Sequence, residues 1–285
     1  MIKILKPVGV TVLSIGFAIL SVAISIIFVI AALMPIIDMV FNLSPEHLSL
    51  VRRVCMIFAF AGGYWLYVHF IEKRAVSELA FRPVTIGVSG LLGAALIATP
   101  LSVLYVSGAI SISGFGSPTA WVGVALPIIA LAMLEETIFR GIIFRIVQRN
   151  YGFWAALILP SILFSAMHLL NDNWAGWLSI TTGILLGMLW TLVYAFTQNI
   201  WAAAANHALW NFTIFASGLP LTGQSEWQPL APLQSEIHAS DMWTGGAAGP
   251  EESILVIASV ACTVAVLIWI YVKRGKHVGA EPVDS

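Results

Sequence analysis

The sequence predicts an all-α fold, a polytopic bundle of about eight transmembrane helices. Three observations predict it. Only 9% of the 285 residues are charged and 59% are hydrophobic, whereas soluble domains average about 25% charged. Mean hydropathy is +0.94. The apolar residues gather in runs that reach the roughly 20 residues a bilayer crossing needs. The net charge of −1 comes with no basic stripe, which argues against a nucleic-acid partner. The partners expected are membrane lipids and a membrane-associated peptide or protein. Cys55 and Cys262 lie inside apolar runs and form neither a disulfide framework nor a metal-binding spacing.

The first span, Val8 to Ile37, follows the basic segment holding Lys3 and Lys6. It exceeds the roughly 7–15 residues of a signal-peptide core, so it reads as an uncleaved helix. The second runs from Val54 to Ile71 after Arg52 and Arg53, and the third from Val84 to Val106 with a kink expected at Pro100. The fourth starts near Trp121, and its tail to Asn150 carries Arg145 and Arg149. The fifth to eighth are Trp154–Leu170, Trp174–Phe196, Ile200–Ala216 and Ile254–Val272. Ser107–Pro118 reads as a Gly/Ser loop. The Gly-, Pro- and polar-rich segment Ser217–Glu252, which holds Trp227 and Trp243, is either a partly ordered cap or a floppy connector. The chain thus divides into N-terminal helices (1–118), a core with the polar motifs (119–216), an extramembrane loop (217–253) and a last helix with a cytoplasmic tail (254–285).

Lys and Arg in short loops set orientation. Lys3/Lys6, Lys73/Arg74/Arg82, Arg145/Arg149 and Lys273/Arg274/Lys276 fall on one side of an eight-span bundle, which predicts cytoplasmic termini, with Arg52/Arg53 the exception. Trp121, Trp154, Trp174, Trp177, Trp201 and Trp269 sit near span ends, as an aromatic belt would place them. His47, His69, His238 and His277 fall in loops or near span ends and read as solvated or interfacial.

The chemistry is concentrated in three spans. Glu135-Glu136-Thr137-Ile138-Phe139-Arg140 interrupts an apolar run. Each charge there costs about 2.5–3.5 kcal/mol on insertion scales, so a chain that keeps them uses them. Glu136 and Arg140 share a helix face and can pair, while Glu135 points about 100° away. Phe164-Ser165-Ala166-Met167-His168 lies on the fifth span, and His207 and Asn211 share a face of the seventh. Counted from their common turn, Glu135 and His168 lie within roughly 5 Å in depth. His207 and Asn211 lie roughly 12–18 Å from the next turn, about two helical turns short of that level. Tilt or kinks at Pro127 and Pro160 would have to absorb the difference. Gly183 and Gly187 read as a helix-packing face rather than as site residues.

A buried glutamate beside a histidine can take a proton from water and aim the hydroxide at a carbonyl. A second histidine and an amide can stabilise the oxyanion. Alternatively Glu135, His168 and His207 could hold a divalent metal such as zinc, although no H-E-x-x-H signature is present. A transporter or ion-translocating protein using the same carboxylates, and a non-catalytic membrane scaffold, are the competing functions.

Glu135-Glu136-x-x-Phe139-Arg140, Phe164-x-x-x-His168 and His207-x-x-x-Asn211, taken in order, resemble the CAAX prenyl endopeptidase and bacteriocin-processing (CPBP, or Abi) family of intramembrane proteases over about 120 to 216. The resemblance implies an endopeptidase in which Glu135, helped by His168, activates water, and His207 and Asn211 hold the oxyanion. It also implies that Glu136 and Arg140 orient the site. Members are described both as metalloproteases and as metal-free glutamate-type proteases; the metal-free form is the expectation here, in a bacterial plasma membrane.

Overall fold

The computed structural model describes residues 8–116, 119–174 and 176–274. Lys3, Lys6, Pro118, Lys276 and His277, all given loop or flanking positions by the sequence, lie outside the described residues. Among the described residues, six helices are long and apolar enough to cross a membrane: α1 (Val8–Phe41), α2 (Pro45–Glu72), α3 (Pro83–Val106), α4 (Val122–Tyr151), α6 (Trp177–Thr197) and α8 (Ile254–Lys273). Between them lie α5 (Phe153–His168) and α7 (Ile200–Ala216), of 16 and 17 residues. At 1.5 Å per residue these two extend only about 24–26 Å, less than the roughly 30 Å hydrocarbon core. They carry the two motif histidines. The protein is a multi-pass helical membrane bundle.

Boundaries moved where local signals outweigh hydropathy. Helix α1 continues past Ile37 to Phe41, and α2 begins at Pro45 rather than Val54. Ser44 caps α2 by accepting from the His47 amide, with Pro45 in the first turn and Glu46 at the positive helix end. Arg52 and Arg53 are therefore helical, not in a loop.

The two ends of the bundle differ. At one, the end of α2 and the end of α4 meet in an ion-pair cluster: Glu72 pairs with Arg145 at 2.6 Å, Arg74 at 3.1 Å and Arg149 at 3.2 Å. Arg74 and Tyr64 both donate to Glu78. Burial raises the Glu78 carboxyl, but these hydrogen bonds outweigh it and hold the group below the usual carboxylate range. At the other end sits an ordered cap. Residues expected as a Gly/Ser loop form β1 (Ile110–Phe115), antiparallel to β2 (Leu233–Ile237) in the 217–253 segment. Of the two readings offered for that segment, the cap is the one found.

Close approaches set the inner helices. A Cβ on Gly93 of α3 would lie 2.2 Å from the Asn206 carbonyl oxygen of α7. Across that seam Asn206 Nδ2 donates to the Ser89 carbonyl at 2.7 Å. A Cβ on Gly187 of α6 would lie 2.8 Å from Ser161 Cα of α5, in keeping with the packing role expected of Gly183 and Gly187.

Candidate active site

Helix α4 is regular through Glu136 and π-helical over Thr137–Phe144. Such widened segments recur at functional sites. Nothing in the hydrophobic pattern announces this one. Glu136 and Arg140 are fully buried. Arg140 donates from one terminal nitrogen to Glu136 Oε1 at 2.9 Å and from the other to the Gly187 carbonyl at 2.9 Å. Its guanidinium lies over Phe164 at 5.1 Å, Phe139 at 5.7 Å and Trp190 at 5.8 Å. An ion pair this deep is retained because the guanidinium meets carboxylate, carbonyl and ring faces at once.

The second ligand of Glu136 Oε1 is His207 Nδ1, at 3.0 Å. A carboxylate oxygen that already accepts from Arg140 must accept here too, so Nδ1 carries the proton. That leaves His207 Nε2 facing Glu135, 3.9 Å from Oε2. Trp190 stacks on the imidazole, centroids 3.6 Å apart and planes 16° apart, which fixes its tilt. The sequence estimate left His207 and Asn211 about two helical turns short of Glu135, yet all three line the same cavity. At the α6–α7 turn Asn199 is buried, its side chain donating to the Ala80 carbonyl and that of Trp201 to the Leu79 carbonyl. A turn sunk beneath 77–82 is not a surface landmark, so depths counted from it come out too shallow.

His168 Nδ1 lies 2.9 Å from the Phe164 carbonyl, to which it donates. Nε2 remains as its available nitrogen. Glu135, His168, His207 and Asn211 line one cavity of about 200 Å³. Glu135 Oε2 and Asn211 Oδ1 have no hydrogen-bond partner among the described residues. Glu136 and Arg140 stand behind this wall. A larger groove of about 720 Å³ beside α3 is lined by residues such as Val88, Leu92, Leu96 and Phe196 and holds no titratable group, whereas the smaller cavity is lined by Glu135, His168, His207 and Glu251.

The sequence reading missed the cap's contribution. Glu251, just ahead of α8, lines the cavity and is 1% exposed. It accepts from the Thr222 amide at 2.9 Å, the Thr222 hydroxyl at 2.7 Å and Trp210 Nε1 of α7 at 3.1 Å. Burial raises its carboxyl above the usual range against the lowering effect of those donors. Asn171 and Asn173 side chains donate to the Thr222 and Gly223 carbonyls, at 2.9 and 3.0 Å. The one available signal was a Glu251-Glu252 pair directly abutting the apolar run at Ile254.

The potential metal ligands Glu135, His168 and His207 share the cavity, yet among the described residues no group of three or more His, Cys, Asp or Glu is placed to hold a metal ion. Each histidine engages Nδ1, His168 with the Phe164 carbonyl and His207 with Glu136, and keeps Nε2 available.

The family model for type II CAAX prenyl endopeptidase Rce1-like proteins matches residues 117–213. No curated protein and no solved structure matches the chain. The match spans the double glutamate, both histidines and Asn211, and leaves out α1 to α3, the cap and α8. Residues 117–213 of this multi-pass membrane protein are therefore similar to the Rce1-like, CAAX-type endopeptidase domain.

Proposed function

We propose that the protein hydrolyses internal peptide bonds of membrane-associated proteins or peptides, with Glu135 as the base that takes a proton from water. The observation that carries this is Glu135, whose Oε2 has no hydrogen-bond partner among the described residues, in a cavity shared with His168, His207 and Asn211. The hydroxide formed attacks the carbonyl carbon, and charge develops on the carbonyl oxygen. The Asn211 amide, and His207 when Nε2 is protonated, supply hydrogen bonds to it. His168 Nε2 assists the proton transfer. Collapse of the tetrahedral intermediate breaks the C–N bond, and the proton taken by Glu135 passes to the leaving amine. Glu136 and Arg140 position His207 without touching substrate. The lining includes two carboxylates, Glu135 and Glu251, and no Lys or Arg, which suits an internal bond better than a free C-terminal carboxylate.

The reading is metal-free, with the bundle in a bacterial plasma membrane and both termini cytoplasmic. Its test is cleavage of a fluorogenic peptide by the detergent-solubilised protein. Glu135→Ala and His168→Ala abolish turnover at unchanged melting temperature, and EDTA leaves the wild-type rate intact. Retained cleavage in either variant refutes the assignment.

A further inference from the structure

The cavity sits toward one end of the bundle, and the distribution of positive charge says which side of the membrane that end faces. Helix α4 runs the full distance. At its start Trp121 packs on Phe212, centroids 5.9 Å apart, beside Trp227 of the cap. At its far end Arg145 and Arg149 pair with Glu72. The 30 residues of α4 span about 45 Å, close to the full thickness of a bilayer with its headgroups. The cavity takes Asn171, Thr222, Gln224 and Trp227 from the cap end and no residue from the ion-pair cluster.

Lys73, Arg74, Arg82, Arg145 and Arg149 all belong to the ion-pair end. Lys273 and Arg274 join them, since Tyr271 of α8 stacks on Phe153 at the start of α5, centroids 3.9 Å apart. At the cap end the described Lys and Arg residues are Arg52 and Arg53, and Arg53 is spent on the Gly123 carbonyl at 2.7 Å. Lys and Arg in short connections stay on the cytoplasmic side, whatever the acidic residues do.

We infer that the cavity opens on the non-cytoplasmic face. Its substrates are then neutral or cationic peptide segments presented there, on membrane-anchored or translocated proteins, rather than cytoplasmic C-termini. The substrate class rests on the endopeptidase reading; the face does not. Asp172 and Glu226, next in sequence to the lining residues Asn171 and Trp227, add to the two lining carboxylates in disfavouring acidic segments.

The face is tested by thiol labelling of the full chain in spheroplasts, with Cys55→Ser and Cys262→Ser as background. Ser225→Cys, on the exposed cap, reacts with a membrane-impermeant maleimide in sealed cells, and Ser77→Cys, at the ion-pair end, only after permeabilisation. The reverse pattern, or labelling of both in sealed cells, overturns the inference. The substrate class is tested by adding an impermeant, uncharged fluorogenic peptide to sealed spheroplasts and to inverted vesicles. Cleavage by the spheroplasts alone, lost in Glu135→Ala, is expected; cleavage by inverted vesicles alone overturns it. No cleavage even in detergent sinks the endopeptidase reading instead, and the labelling then judges the face by itself.

Discussion

His207 is held to Glu136 through Nδ1 at 3.0 Å while its other ring nitrogen faces Glu135 at 3.9 Å. Two neighbouring carboxylates are thus separated by an imidazole into a structural partner and a cavity wall. Glu136 belongs to the buried Arg140 pair; Glu135 has an oxygen left over.

The first prediction follows from that division. Glu136→Ala leaves Arg140 buried and uncompensated, which costs about 3–5 kcal/mol. The variant should melt well below wild type in detergent, whereas Glu135→Ala should melt like wild type and lose activity by about 10²–10⁴-fold. Equal melting temperatures for the two variants would show that the carboxylates are not divided in this way.

A second prediction concerns Gly187, whose carbonyl anchors Arg140 and whose face touches Ser161. Gly187→Ala forces α5 and α6 apart, and overpacking of this kind costs about 1–3 kcal/mol. Both melting temperature and kcat should fall. Adding Ser161→Gly removes the Cβ and Oγ but not the Cα that the new methyl meets, so it should restore only a small part of each.

The cap gives a third. Glu251→Ala leaves the Thr222 and Trp210 donors without their acceptor, at about 1–3 kcal/mol for each buried group left unpaired. Limited proteolysis within 217–253 should accelerate and peptide cleavage slow. Glu251→Gln keeps one acceptor oxygen and should lie between Ala and wild type. Unchanged proteolysis of the Ala variant would mean that Glu251 does not fasten the cap.

The ion-pair end gives a pH dependence. Glu78 is lowered in the folded protein because the hydrogen bonds from Arg74 and Tyr64 outweigh its burial. A carboxyl depressed on folding adds stability above its unfolded value, about 4.3, and loses it as pH falls through the folded one. Melting temperature should therefore drop on acidification below that value. In Glu78→Gln it should start lower near neutrality and change less with acid, which a pH series of thermal melts would show.

Much of the architecture is legible in the chain because lipid imposes a simple rule: long apolar runs become helices. The rule weakens where helices lie inside protein. Helix α7 is largely enclosed, and its start lies in a sunken turn that hydropathy cannot distinguish from a surface one. The Glu136–Arg140 pair could be read from its spacing, since four residues on a helix share a face. That Glu136 also holds His207 could not, because it depends on tertiary packing between α4 and α7. The cap was least legible. Its order comes from pairing between segments more than a hundred residues apart, Ile110 with Ile237, and from side chains such as Asn171 reaching loop carbonyls.

The β1–β2 ladder carries a practical consequence. The roof above Glu135 is assembled from strands that precede and follow the segment matched by the family model, and it is fastened by an acid next to the final helix. Trimming the chain to its recognisable core would strip that roof away and leave a hydrolytic pocket unshielded. A minimal working version of this protein must therefore retain both flanks, and grafting the core alone into another scaffold should yield motifs without a protease.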